Sequence, residues 1–279
     1  MKYYVVDVFT DEMFGGNPAG VCLLDDWLPD ESLQNIATEN NLSETAFLVK
    51  RSGYYDLRWF TPKIEVDLCG HATMGSAFVL FNFVETNAVT LEFHTLSGTL
   101  TVDRKDDMLW MDFPARPPVR VQQYESVGKA MGIDEYEMYK APDLLVILGS
   151  EDEVLSVQPD FEMLKKVKEE AGLPDDNFGV MISAPGSDCD FVSRFFAPSS
   201  GVDEDPVTGR AHCVLIPYWS ARLGKDKMTA RQRSKRGGFI WCEYAGQRVK
   251  IGGKAVLYLS GEINGDTMLR TVASTESEG

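Results

Sequence analysis

Glu44 stands among small and apolar residues, in Asn41-Leu42-Ser43-Glu44-Thr45-Ala46-Phe47. In such a setting a carboxylate's pKa can be raised toward the range where it both gives and takes protons. The competing reading is a solvated glutamate where a helix gives way to a strand, and the residues by themselves leave both open. A second stretch, Gly201-Val202-Asp203-Glu204-Asp205-Pro206-Val207-Thr208-Gly209-Arg210-Ala211-His212-Cys213, sets acidic residues and a proline directly before a small-residue turn that opens an apolar helix. Proline is tolerated in or just before a first turn, and threonine is a good N-cap whose oxygen accepts from backbone N–H groups one turn on, so this helix is expected to start near Thr208. Its N-terminus would favour a carboxylate or phosphate by about 0.3–1 kcal/mol, and by about 2 kcal/mol when partly buried. The plainer alternative is that the acidic residues serve only the helix's own dipole. A third stretch repeats the design: Glu65 and Asp67 precede Leu68-Cys69-Gly70-His71-Ala72-Thr73, where a glycine turn and a histidine open another apolar helix.

The elements that must hold these residues follow from periodicity. From Ala211 onward, Val214, Leu215, Tyr218, Trp219 and Leu223 fall at helical spacing and stop at Gly224, predicting a helix buried along one side with its N-terminus outward. The helix after His71 should bury Ala77, Phe78 and Phe81. Upstream, Lys2–Phe9 and Gly20–Leu24 read as strands around the turn Phe14-Gly15-Gly16-Asn17-Pro18-Ala19; Gly15 and Gly20 have phosphate-loop spacing, but no Lys-Ser/Thr follows. Asp30 is expected to cap a helix with Leu33, Ile36 and Ala37 on its apolar face, and Thr45–Val49 and Tyr54–Phe60 read as strands. Strands are also expected at Val89–His94, Gly98–Asp103 and Met108–Phe113, and again at Met228–Arg233, Phe239–Tyr244, Arg248–Ile251 and Ala255–Gly261. Gly238 stands 29 residues after Gly209, as Gly98 stands 28 after Gly70, which suggests a weak internal duplication of a sheet wrapped around one long buried helix.

The joint is Pro114-Ala115-Arg116-Pro117-Pro118, which divides residues 1–115 from 116–262 and leaves 263–279 as a C-terminal strand or tail with a frayed end. The second half should also carry helices near Tyr124–Met131, Glu151–Ser156 and Phe161–Ala171 and strands at Leu144–Leu148, Val180–Ile182 and Phe191–Phe196. The cations between Arg222 and Arg236 read as a solvated basic loop.

A chain of 279 residues suggests two lobes of ordinary domain size. Forty-three acidic against twenty-seven basic residues give a net charge of −16, which opposes nucleic-acid or anionic-membrane binding. No stretch reaches the roughly 18 apolar residues of a membrane span, and Asp7 interrupts any signal-peptide core, so a cytoplasmic protein is expected. Cys22, Cys69, Cys189, Cys213 and Cys242 are odd in number and scattered, which reads as free thiols in a reducing compartment. No cysteine pair has zinc-ligand spacing, and His71, His94 and His212 are the only histidines, so no structural metal site is expected.

Five ordered segments carry a family resemblance: the turn Phe14 to Ala19, Asn41 to Phe47, Leu68 to Thr73, Glu204-Asp205-Pro206-Val207-Thr208-Gly209 and Ser234-Lys235-Arg236-Gly237-Gly238. In order and spacing they resemble the PhzF-like (phenazine biosynthesis-like) family over nearly the whole chain. The resemblance implies an α+β chain of diaminopimelate epimerase-like fold, with two pseudo-symmetric lobes, each a mostly antiparallel sheet or barrel around a central helix, and a cleft between them. It implies Glu44 as the proton-transferring acid/base, His71 and Asp205 lining the cleft as further catalytic residues, and Asn17, Cys69, Gly70, Thr208, Gly209 and Arg210 at the substrate. At a helix N-terminus His71 would tend to stay neutral, suited to hydrogen bonding or relay; its plain alternative is a histidine capping its own loop.

Two departures bear on mechanism. Arg210 stands where many members have serine, a cation that would either hold a substrate carboxylate bidentately or fill the site. Related epimerases use two cysteines as paired bases, whereas here only Cys69 matches and Asp205-Pro206 occupies the second place, which argues against symmetric two-thiol racemisation. The expected activity is a cofactor-independent isomerase moving a proton on a small anionic metabolite, needing neither metal nor pyridoxal, in a possible homodimer. The alternatives are an amino-acid racemase using Cys69 with another base, and a non-catalytic binding or scaffold protein of the same fold.

Overall fold

The computed structural model describes residues 1–172 and 178–264. Runs of β-branched and aromatic residues broken by glycine, proline and asparagine make the strands, and two apolar segments rich in small residues make the long helices. In chain order the elements are β1 (Lys2–Val8), β2 (Asn17–Leu24), α1 (Asp30–Asn40), β3 (Glu44–Lys50), β4 (Tyr55–Phe60), β5 (Glu65–Val66), α2 (Gly70–Phe83), β6 (Thr90–Thr95) and β7 (Gly98–Lys105). Then come β8 (Met108–Pro114), β9 (Val119–Val121), α3 (Glu125–Met131), β10 (Glu137–Lys140), β11 (Leu144–Ile147), α4 (Glu151–Ser156), α5 (Phe161–Leu164) and α6 (Val167–Ala171). The chain continues with β12 (Val180–Pro185), β13 (Phe191–Ala197), β14 (Val202–Asp205), α7 (Gly209–Leu223), β15 (Lys227–Gln232), β16 (Gly238–Ala245), β17 (Arg248–Gly253) and β18 (Ala255–Glu262).

Two units divide the chain. One holds Met1–Phe14, Pro18–Leu109 and the described residues from Lys254 on; the other holds Gly15–Asn17 and Trp110–Gly253. In the first unit β1 pairs antiparallel with β18, β3 with β4, β4 with β5 and β6 with β7, while β2–β3 and β4–β6 are parallel. The end of β18 stays tied to the start of β1, because Met1 and Ile263 exchange hydrogen bonds of 2.9 and 3.0 Å. Residues 265–279, part of the expected C-terminal strand or tail, lie outside the described residues.

Helix α2 is the core of the first unit: from His71 to Phe81 only Phe78, which its spacing placed in the core, is not buried. A helix apolar all round must be enclosed, and its small residues let the sheet come close. At Gly75 a Cβ would stand 3.3 Å from Val8 Cγ2 and 3.4 Å from Ala19 Cβ, so the helix packs on β1 and β2 at a separation that glycine sets. Helix α1 buries Leu33, Ile36 and Ala37, as its spacing predicts, against Cys22, Phe47, Val49 and Phe60. Asp30, expected as its cap, is instead its first residue behind Pro29, and its carboxylate pairs with Arg58 at 2.9 Å.

In the second unit β9–β10, β10–β11, β12–β13, β13–β14, β15–β16 and β16–β17 are antiparallel, and β11–β12 and β13–β15 are parallel. Helix α7 is its long helix, with Ala211 to Ser220 buried and Gly224 ending it in the left-handed region at φ 67°. Leu223, expected on the buried stripe, is 41% exposed. Pro217 lies inside α7 and removes the N–H that would bond the Cys213 carbonyl; that carbonyl accepts the Arg116 N–H at 2.9 Å instead. Helices α3 to α6 pack Val127, Met131, Val154, Leu164 and Val167 against Val146, Ile182 and Phe196. The expected helix Phe161–Ala171 is two short pieces, α5 and α6.

The stretch expected as a solvated basic loop runs from the end of α7 through β15, and most of its cations are paired. Arg222 meets Glu137 at 3.2 Å, Arg231 meets Asp188 at 2.9 Å, and Arg236 donates to the Gly15 and Gly16 carbonyls at 2.8 Å. Each unit therefore combines mostly antiparallel strands with one long buried helix, and the chain is α+β, as the family resemblance implies. Among the described residues no helix is long and apolar enough to cross a membrane.

Candidate active site

In the first unit Glu44 opens β3, while Cys69, Gly70 and His71 form the start of α2. Cys69 is the N-cap, in extended conformation at φ −143° and ψ 108°, and its carbonyl accepts from Thr73 Oγ1 at 2.6 Å and from Thr73 N at 3.2 Å, which fixes the turn. The His71 ring, 7% exposed, lies between two acid–base groups. Its Nε2 is 3.3 Å from Glu44 Oε2, and its Nδ1 is 3.5 Å from Cys69 Sγ.

Burial pushes the His71 pKa down to about 4, with a hydrogen bond to the Pro18 backbone acting the other way, so the ring is neutral at pH 7. The Glu44 contact is then a polar contact to a neutral ring rather than an ion pair. A neutral imidazole donates at one nitrogen and accepts at the other. With the proton on Nε2, toward Glu44, Nδ1 is the acceptor for the Cys69 thiol. The Glu44 side chain is 20% exposed, so a small molecule can touch the carboxylate that the ring holds. One ligand atom from each of Glu44, Cys69 and His71 lies within 4.8 Å of the others, a spacing that also suits a metal ion.

In the second unit Asp205 closes β14, and both of its carboxylate oxygens are held. Oδ1 accepts from Asn17 Nδ2 at 2.9 Å and Oδ2 from Thr208 Oγ1 at 2.6 Å. Asn17 Nδ2 also reaches the Val207 carbonyl at 2.9 Å. Thr208 is the N-cap of α7, as its spacing predicts, but its side chain makes no cap bond: the hydroxyl turns to the carboxylate, the stronger acceptor. Gln232 clamps the turn, donating to the Asp205 carbonyl at 2.7 Å and to Thr208 Oγ1 at 3.1 Å, and accepting from Thr208 N at 2.9 Å. Asp205 keeps part of its surface exposed, yet the protein packed around it pushes its carboxyl up to about 6; the Thr208 and Asn17 hydrogen bonds and the Arg210 charge hold it from rising further.

Gly209 is the first residue of α7 and Arg210 the second. Arg210 Nη2 donates to Asp143 Oδ1 at 3.1 Å, and its guanidinium carbon sits 5.4 Å from the Phe195 ring centre. Asp143 is buried and also takes the Gly179 N–H at 2.8 Å. At Gly179 a Cβ would come within 2.1 Å of the Phe195 ring, so glycine is what lets that ring lie under the guanidinium. Arg210 is thus anchored on its own unit by a carboxylate and an aromatic face, with 31% of its side chain exposed.

The residues singled out from sequence gather in two places: Glu44, Cys69, Gly70 and His71 in the first unit, and Asn17, Asp205, Thr208, Gly209 and Arg210 in the second. Sequence reasoning missed Gln232 and Asp143. Gln232 carried a signal, since it falls in phase with Met228 and Ala230 on the buried face of β15. Asp143 carried none, standing 67 residues from the arginine it holds.

The family model described as phenazine biosynthesis-like protein matches residues 6–261. A Pseudomonas aeruginosa protein named as an uncharacterized isomerase is 50% identical over 264 residues, covering 95% of this chain and 99% of that one. A crystal structure of a PhzF-family phenazine biosynthesis protein from Enterococcus faecalis superposes with a TM-score of 0.89 at 47% identity, covering 94% of this chain and 98% of the other. A predicted epimerase from P. aeruginosa shares the fold, with a TM-score of 0.71 at 16% identity, covering 94% of this chain and 98% of the other.

Proposed function

Because the chain belongs to the phenazine biosynthesis-like family, we propose that it is a cofactor-independent isomerase that moves a proton on a small carboxylated metabolite, with Glu44 as the group that takes and returns the proton. The observation that carries this reading is the partly exposed Glu44 carboxylate held 3.3 Å from the neutral, buried His71 ring. A neutral ring orients the carboxylate without cancelling its charge, so Glu44 keeps the basicity that abstraction from carbon requires. Glu44 removes the proton, the electron pair of the C–H bond passes into the adjacent unsaturated system, and the protonated Glu44 returns the proton at another carbon or face. General acid–base help of this kind is worth about 10²–10⁴-fold. The rest comes from positioning and from dipoles aimed at the developing enolate-like charge, for which the N-terminal, positive end of α2 is suited. In this reading Asp205 and Arg210 hold or neutralise polar groups of the substrate.

A second reading is favoured by one contact, Cys69 Sγ at 3.5 Å from His71 Nδ1: a thiol with a neutral acceptor beside it can serve as a base in a racemase. The two separate cleanly. Cys69→Ser should keep proton transfer within about tenfold if Glu44 is the base, whereas a loss beyond about 10²-fold, the lower end for one acid–base group, favours the thiol. The enzyme itself is tested by incubating it in D₂O with small carboxylated metabolites and following each C–H signal by NMR. A true substrate should lose the signal at the carbon that is reprotonated, and metabolites that bind yet never exchange or convert would contradict the isomerase reading.

A further inference from the structure

Cys69, His71 and Glu44 offer a sulfur, a nitrogen and an oxygen, and among the described residues no other three His, Cys, Asp or Glu side chains bring ligand atoms so close together. We propose that Cys69 Sγ, His71 Nδ1 and a Glu44 carboxylate oxygen form a three-ligand site for Zn²⁺ with one position open, and that zinc bound there blocks proton transfer. The blocking rests on the isomerase reading; the binding does not.

Geometry supports the site. Zinc bonds of about 2.3 Å to sulfur and 2.0–2.1 Å to nitrogen at tetrahedral angles set the two donors about 3.5 Å apart. Cys69 Sγ and His71 Nδ1 are 3.5 Å apart already. One ligand atom of each of the three residues lies within 4.8 Å of the others, and the Glu44 oxygen, 3.3 Å from Nε2, reaches a metal on Nδ1 by swinging round the ring, which its long, partly exposed side chain can do. Binding releases the thiol proton, after which a thiolate and a carboxylate balance the two charges of the ion. Sulfur with nitrogen selects zinc over magnesium or calcium, which prefer oxygen. The other thiols lack this company: Cys22 and Cys242 are deeply buried with their pKa pushed up, and burial holds Cys213 up at about 12.

The test uses reduced full-length protein stripped with a chelator. Added Co²⁺ should give a thiolate-to-cobalt charge-transfer band that one equivalent of Zn²⁺ abolishes, and Cys69→Ser should remove the band. In competition with a chromophoric chelator, Cys69→Ser, His71→Gln and Glu44→Gln should each weaken zinc binding by at least about 10²-fold, since even outer-shell changes cost 10–100-fold. Zinc should also slow alkylation of Cys69 by iodoacetamide in the unaltered protein, a reading that stands even if a variant misfolds. Absence of the band, zinc affinity unchanged in any of the three folded variants, or unslowed Cys69 alkylation would each overturn the site. None of these measurements needs a substrate, so they fail or succeed independently of the isomerase reading.

Discussion

Asp205→Asn should stabilise this protein at neutral pH and leave its stability unchanged in acid. The carboxyl is pushed up to about 6 in the folded protein, from about 3.9 in an unfolded chain. A raised carboxyl pKa means that the folded state holds its proton more tightly. Its contribution to stability is therefore full below about pH 4, falls as pH rises from about 4 to 6, and is gone above. Two pH units at 1.36 kcal/mol each put the cost at pH 7 near 3 kcal/mol. Asparagine keeps the size, carries no charge and, like the protonated acid, pairs one accepting oxygen with one donor, so it stands in for the acid form at every pH. The gain at pH 7 is about 3 kcal/mol, or roughly 6–12 °C in Tm for a chain of this size. The assay is thermal unfolding of both proteins from pH 4 to 8. The Tm difference should be near zero at pH 4, open between 4 and 6, and stay constant above. A variant less stable at every pH, or one whose advantage does not change with pH, would refute the claim that Asp205 is held against its preferred protonation state.

Two further perturbations follow from the same geometry. His71 has its pKa depressed from 6.5 to about 4, so it stabilises the folded state above about pH 6.5 and that stability is lost as pH falls toward 4; His71→Gln should remove about 3 kcal/mol of this acid lability, seen as a lower pH midpoint of acid unfolding. Gly179→Ala drives a Cβ to within 2.1 Å of the Phe195 ring and should cost about 1–3 kcal/mol in urea unfolding, with Arg210 losing its aromatic support; a loss below about 0.5 kcal/mol would mean that the ring moves freely.

What could be read from sequence was local. The bounds of α7 are marked by Thr208 and Gly224, and the buried face of α1 follows from spacing alone, whereas α2 is enclosed nearly all round and leaves Phe78, expected in its core, partly exposed. Glu44 was legible as a carboxylate in apolar company, but the ring that holds it was fixed only by the fold. Contacts between distant residues left no trace. Pro217 inside α7 is tolerated because the Arg116 N–H takes the freed carbonyl, and the cations of Arg222–Arg236 look solvated until Glu137 and Asp188 are folded against them. The short strands β5, β9, β10 and β14 span two to four residues, too few for an alternating pattern to declare itself. Nothing in the order of elements announces that β18 returns to β1, since its pattern fits either unit.

The assignment of Glu44 is tested most directly by Glu44→Gln with a substrate found by deuterium exchange, measuring binding and exchange side by side. Glutamine keeps the length of the side chain and its polar contact to His71 but cannot accept a proton. The account predicts that the variant binds the substrate as the unaltered protein does and loses exchange by about 10²–10⁴-fold, the worth of one general acid–base group. Exchange at the rate of the unaltered protein would contradict it.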